Sequence, residues 1–230
     1  MKKYFVYILI LLAVFPITSY GATSAGYHID KNVNLIPNDP KGNKKVLLIT
    51  IDDGPSKYSK DLVATLQKHN ANAIFFINGT HHKANKDNIA FISKSGFAVG
   101  NHTWNHINLK KEKNLNKVKK EIEDNAKLIQ KETGSAPKFF RAPFGVNTLY
   151  VKNLVKTQGM ISMNWSGSAL DWEKSARDEK VFIKNVLEGL HDGEILLLHE
   201  HQWTSKYLDG LLSTLEKKGY SFLDPKLITE

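Results

Sequence analysis

The sequence predicts an α/β fold built on a parallel sheet. Three observations carry that reading. Seven short apolar runs lie between residues 46 and 223, most of them continuous rather than alternating; segments with helical spacing separate them; and polar clusters follow the ends of five. Continuous apolar strands alternating with helices belong to parallel sheets covered on both faces. Seven such units suit a closed or nearly closed barrel better than an open sheet, and the pattern alone leaves both arrangements open. In either, a site belongs at the carboxyl ends of the strands.

The elements follow in order. Lys2 and Lys3 precede an apolar run over 4–17, and small residues follow at Ser19, Gly21 and Ala22. A charged start, a short apolar core and a small-residue exit describe a secretory signal peptide over 1–21, cleaved near Gly21. The run is shorter than the roughly 20 residues a spanning helix needs, which makes a retained anchor the second reading. Residues 22–43 read as an N-terminal leader with little periodicity, and 44–230 as the folded domain. Within it, strands are expected at 46–51, 73–77, 97–99, 138–141, 160–165, 195–198 and 220–223. Helices are expected at 61–69, 88–94, 115–131, 149–158 and 181–190, with a last one ending at Lys218. In the third of these, Val118, Ile122, Ala126 and Ile129 recur at helical spacing and Gly134 is the stop.

Composition narrows the function. The chain of 230 residues is 41% hydrophobic and 24% charged, which excludes a disordered polymer. It has no cysteine, so disulfides, thiolate metal sites and Cys nucleophiles are excluded, and any metal must be held by His and carboxylate. Removing Lys2 and Lys3 takes the net charge from +9 to +7. That charge comes from 30 lysines and only two arginines, Arg141 and Arg177. Arginine is the residue of bidentate phosphate and base recognition, so no nucleic-acid partner is expected. Dispersed lysine is a solvated face, or an attraction to an anionic wall.

Five polar clusters sit where a barrel places its chemistry: Asp52-Asp53-Gly54-Pro55, His102-Thr103-Trp104-Asn105-His106, Arg141-Ala142-Pro143-Phe144-Gly145, Asp171-Trp172 and His199-Glu200-His201. Each alone is common; an Asp-Gly-Pro turn is ordinary turn chemistry. Together they fall on one rim. Asp53, His102 and His106 make a two-His, one-carboxylate set suited to Zn²⁺ or another divalent first-row ion. Asp52 adjoins that set and is placed to accept a proton from water, with Arg141 holding it ionised. His199, from another strand, is placed to protonate a leaving group, and Asp171 to orient it and favour its charged form.

These motifs, in this order, resemble those of the NodB-like polysaccharide deacetylases, carbohydrate esterase family 4. From Thr50-Ile51-Asp52-Asp53-Gly54-Pro55 to Leu196-Leu197-Leu198-His199 they span 150 of the 230 residues. The resemblance implies a distorted (β/α)7 barrel and metal-dependent removal of acetyl groups from sugars. It implies Asp52 as base, Asp53, His102 and His106 as ligands of one metal ion, Arg141 as tether of the base and His199 as acid tuned by Asp171. It further implies an oxyanion contact from backbone near Phe144, and a pocket for the acetyl methyl walled by Trp172 and Leu197. Zinc is the expected ion, with Co²⁺, Ni²⁺ or Mn²⁺ as alternatives. Four positions depart from the family's pattern. Ile51 stands for Phe, Ser168 for an acid, Phe144 for Tyr and Glu200 for Asp; none belongs to the proposed catalytic set.

The expected partner is therefore an acetylated polysaccharide or oligosaccharide, met by a monomeric, exported protein in the periplasm, the cell envelope or outside the cell. Membrane contact is expected only if the signal segment is retained. Two rival readings stand beside it: a non-catalytic glycan-binding protein of the same fold, and a glycoside hydrolase, a class in which barrels with paired acids are common. The second needs two carboxyls flanking the bond, which adjacent Asp52 and Asp53 do not provide. Of the remaining histidines, His69 is expected to complement a helix end; His81 and His82 follow the second strand and are read as surface loop, with the border of the groove as the alternative, and His201 likewise as surface loop.

Overall fold

A computed structural model describes residues 26–229 of the chain. The expected signal peptide and the first residues of the leader lie outside the described residues. A two-stranded antiparallel hairpin comes first, β1 (Tyr27–Ile29) and β2 (Leu35–Pro37). Then come β3 (Val46–Gly54), α1 (Ser59–Lys68), β4 (Ala73–Ile77), α2 (Asn88–Lys94), β5 (Ala98–Asn101), α3 (Leu115–Thr133) and β6 (Phe139–Phe140). The chain continues through α4 (Leu149–Thr157), β7 (Ile161–Ser162), β8 (Gly167–Ser168), α5 (Glu179–Gly189), β9 (Glu194–His199), α6 (Gln202–Lys217) and β10 (Ser221–Phe222).

All strands from β3 onward pair in parallel, in the order β7-β6-β5-β4-β3-β9-β8, with β10 on the first two residues of β3. This is the curled sheet of a distorted (β/α)7 barrel, closed everywhere except between β7 and β8. The fold class is the one expected, and three details differ. Of the strand expected at 160–165 only Ile161 and Ser162 form one, and a second edge strand lies beyond its end. Ile161 and Ser162 pair with β6, and the chain then crosses so that Gly167 and Ser168 pair with β9. The crossing is held from inside by Arg141, whose guanidinium donates to the carbonyls of Met163 at 3.4 Å and Asn164 at 2.9 Å. β8 is only Gly-Ser, and a Cβ on Gly167 would lie 2.0 Å from a Glu194 oxygen, so the strand lacks an apolar signature because its partner leaves no room for one. From residue 26 onward, the leader expected over 22–43 is corrected as well. Tyr27 and Leu35 are buried in one cluster with Val46, Leu48, Ile74, Phe76 and Ile195, and Leu35 N–H donates to Gly193 at 2.7 Å. Three-residue strands carry too little periodicity to announce this.

Alternation along the strands separates two layers. Leu47, Ile49 and Ile51 of β3, with Phe75 and Ile77 of β4, face α1, α2, α5 and α6 in the larger cluster. Val46 and Leu48 face the barrel interior with the hairpin. By the period of two, Thr50 and Asp52 continue that interior face, so it changes from apolar to polar as β3 approaches its carboxyl end.

Candidate active site

The site begins with an irregularity in β3. The register against β4 shifts between Ile51 and Gly54, and Asp53 adopts φ 64°. A regular strand would send consecutive side chains to opposite faces; the bulge lets Asp52 and Asp53 serve one site. Thr103, His106, Phe144 and Leu170 also have positive φ, at 67°, 53°, 59° and 50°. All four lie in the loops that follow the strand ends, where left-handed backbone is costly for non-glycine residues and must be held by its surroundings.

Asp52 is buried, opposite His199 in the β3–β9 register. It accepts a charge-assisted bond from Arg141 Nη1 at 2.8 Å. The same Nη1 donates to Thr50 Oγ1 at 2.7 Å. The fully buried guanidinium lies 4.5 Å from the Phe76 ring centre and 5.7 Å from that of Trp165. Burial pushes the Asp52 carboxyl up, against the opposing pull of the Arg141 and His199 charges.

Asp53, His102 and His106 offer one donor atom each, all within 4.8 Å of one another. His106 Nε2 is 3.5 Å and His102 Nε2 3.7 Å from Asp53 Oδ1. Ligands at the 2.0–2.1 Å typical of zinc stand about 3.3 Å apart in a tetrahedron, so this donor set fits such an ion with small adjustment. The tautomer fits too. His102 Nδ1 lies 2.8 Å from the Arg141 carbonyl, which can only accept, so the proton sits on Nδ1 and the Nε2 lone pair faces Asp53. Burial holds the ring neutral, with its pKa pushed down to about 3.

His199 completes the set from β9. Its Nδ1 is 2.6 Å from Asp171 Oδ1, and its backbone N–H donates to Asp171 Oδ2, also at 2.6 Å. Thr204 Oγ1 and Trp203 Nε1 donate to the Asp171 carboxylate and carbonyl at 2.9 and 2.8 Å. Burial alone would lower the His199 pKa, but the bond and charge of Asp171, with Asp52 and Asp53 behind it, push it up to about 9. A cavity of about 680 Å³ is lined by Asp52, Asp53, His102, His106 and His199, and by Phe144, Trp172 and Leu197. Phe144 sits edge-on to His106 at 4.8 Å and Trp172 edge-on to His199 at 5.6 Å. Arg141 and Asp171 lie behind this wall, so all ten residues singled out in the sequence meet at one place.

A family model described as polysaccharide deacetylase matches residues 39–162. The chain belongs to the polysaccharide deacetylase family. Among relatives, peptidoglycan-N-acetylglucosamine deacetylase PgdA of Listeria monocytogenes is 33% identical over 192 residues, 82% of this chain and 40% of the relative. The chain thus spans only 40% of the length of the curated relatives it matches first. Peptidoglycan deacetylase PdaC of Bacillus subtilis superposes with a TM-score of 0.72 at 26% identity, covering 80% of this chain and 89% of that one. A carbohydrate esterase family 4 pseudoenzyme of Bacillus anthracis superposes at 0.74 and 25% identity, covering 80% and 65%.

Several contacts around this cavity were not legible in the motifs. Glu121, buried on α3, accepts from Asn105 N–H at 2.7 Å and Asn105 Nδ2 at 2.6 Å, and so clamps the loop that carries His106. Glu200 gathers Ser56 N–H, Ser56 Oγ and Ser59 Oγ at 2.6–2.8 Å beneath the Asp-Asp turn. His81 and His201, expected in surface loops, both reach the site. His81 Nδ1 lies 2.9 Å from the Asp53 carbonyl, and His201 stacks between His199 at 5.6 Å and Trp203 at 4.4 Å. The motif at His199 already holds Glu200 and His201, but which groups they and Glu121 touch depends on loops and helices returning from elsewhere.

Proposed function

We propose that this protein is a metal-dependent deacetylase that hydrolyses N-acetyl groups on sugars of a cell-wall polysaccharide, with peptidoglycan the first candidate from its relatives. One observation carries the reading: two adjacent carboxylates have different partners, Asp52 gripped by a guanidinium with His102 at 3.6 Å, and Asp53 grouped with both imidazoles. A divalent ion held by Asp53, His102 and His106, with zinc the first candidate, supplies Lewis acidity that polarises the acetyl carbonyl and lowers the pKa of water.

The chain's own groups do the rest. Asp52, kept in place by Arg141, takes the proton of the water that attacks the acetyl carbon. His199, kept charged by Asp171, gives its proton to the sugar nitrogen as the carbon–nitrogen bond breaks and the electron pair returns to nitrogen. Acetate and a free amino sugar result. An amine leaves poorly unless protonated, which gives the acid its purpose. Trp172 and Leu197 border the space for the acetyl methyl, and Phe144 caps the side next to His106. A cell-envelope or secreted location fits that substrate and the charged-then-apolar start of the chain. Among the described residues no helix is long and apolar enough to cross a membrane.

The test is acetate release from purified peptidoglycan and from N-acetylglucosamine oligomers, with and without chelator. Release that a chelator abolishes and Zn²⁺ or Co²⁺ restores supports the proposal. Glycan binding without release, under any metal, would assign the chain to the non-catalytic reading that its pseudoenzyme neighbour exemplifies.

A further inference from the structure

One cation at the pocket takes no part in the reaction above. Arg177 ends the short turn Lys174–Arg177, and its carbonyl accepts the Tyr207 hydroxyl at 2.6 Å, so its backbone is anchored to α6. Its side chain is exposed and lines the same cavity as Asp52, Asp53 and His199. The guanidinium lies 4.8 Å from the ring centre of Trp203. That indole donates its N–H to the Asp171 carbonyl at 2.8 Å, so the ring carrying Arg177 is tied to the residue that orients His199. Among the described residues the one arginine ion pair is Arg141 with Asp52, and no carboxylate pairs with Arg177. In a chain whose other basic residues are 30 lysines, both arginines stand at this site.

We infer that Arg177 is a specificity-determining residue that reads a carboxylate on the glycan, so that the substrate is an acidic rather than a neutral N-acetylated polysaccharide. The inference rests on the deacetylase reading and refines its substrate class. A guanidinium seated over an indole face, with no carboxylate partner of its own, has N–H donors to offer, and its planar fork matches a carboxylate in a two-point contact that a lysine ammonium does not reproduce. A neutral sugar offers only hydroxyls, which use neither the charge nor the fork. The carboxylate belongs either to the sugar that loses acetyl or to its neighbour in the chain.

The test compares three probes: peptide-free glycan strands alternating N-acetylglucosamine and N-acetylmuramic acid, the same strands with their carboxylates converted to methyl amides, and neutral N-acetylglucosamine oligomers. Acetate release and calorimetric Kd are measured for the wild-type holoenzyme, Arg177→Gln and Arg177→Lys. The wild type should prefer the acidic strands over both neutral probes, more strongly at low salt. Arg177→Gln should lower that preference about five- to ten-fold, chiefly through KM, and Arg177→Lys should restore only part of it. Mass-spectrometric location of the freed amine distinguishes a carboxylate on the reacting sugar from one on its neighbour. Equal preference for acidic and amidated strands, or a preference that Arg177→Gln leaves intact, overturns the inference while acetate release still upholds the deacetylase. If no probe releases acetate, the Kd comparison decides on Arg177 alone.

Discussion

Asp52 and Asp53 differ in nothing but their neighbours, and the proposed division of labour can be separated by single substitutions. Asp52→Asn keeps the shape and the hydrogen bond to Arg141 but cannot accept a proton. It should bind metal as the parent does and lose about 10²–10⁴ in kcat, the range for general base catalysis. Metal content by atomic absorption beside acetate release checks this, and loss of both together would exchange the two roles. His199→Ala should slow an N-acetyl sugar far more than an activated acetate ester, whose leaving group needs no proton; equal losses would give His199 another task. The raised His199 pKa sets a sign as well. The acid form is present below about 9, so amide hydrolysis should fall as pH rises through that value, and His199→Ala should show no such limb. Which residues to substitute was legible from the motifs themselves, because each lies within one or two positions of a strand end. The pairing of Asp52 with Arg141 and of Asp53 with the histidines was expected too, but the bulge and positive φ that let neighbouring side chains serve one site were not.

Elements hold these residues at their stations. The loop from His102 to His106 leaves β5 at once, and α3 returns to fasten it through Glu121. Glu121→Ala should lower metal affinity about 10–100-fold, the usual effect of losing a group that orients a ligand, although Glu121 touches no donor atom. Competition with a chromogenic chelator reads this directly, and an unchanged affinity would make the clamp irrelevant to the site. The hairpin β1–β2 supports from the other end. Leu35 is 1% exposed within the barrel's apolar interior, so Leu35→Ala should cost roughly 2–5 kcal/mol in denaturant unfolding. A residue in a detached leader would change stability by less than about 0.5 kcal/mol. The longer helices were legible from their period and stops, as with α3 and Gly134; the hairpin and β8 were too short to show one.

At the scale of the molecule, three strand ends and the loops after them contribute to one metal-binding proposal, so the ion should act on the whole. Asp53 lies one residue before the end of β3 and both histidines follow β5, with Arg141 of the segment after β6 fixing the His102 tautomer. An ion that binds only the folded state raises apparent stability by RT ln(1 + [L]/Kd), about 2.7 kcal/mol at a hundred-fold excess over Kd. Chelation should therefore lower the melting temperature as well as abolish acetate release, and Zn²⁺ should restore both. A melting temperature indifferent to chelator and to added Zn²⁺ would count against a bound ion.

The sequence by itself determined the fold class, the number of expected β/α units and the identity of the residues that meet, because each is a local property: apolar runs, helical period, and chemistry-bearing side chains at strand ends. Only the tertiary structure decided how the barrel opens between β7 and β8, that residues 27–37 pack against its interior, that Glu121 and Glu200 brace the site from behind, and that His81 and His201 reach it. Those contacts join segments far apart in the chain, and a local pattern carries no record of which helix or loop returns to which strand end.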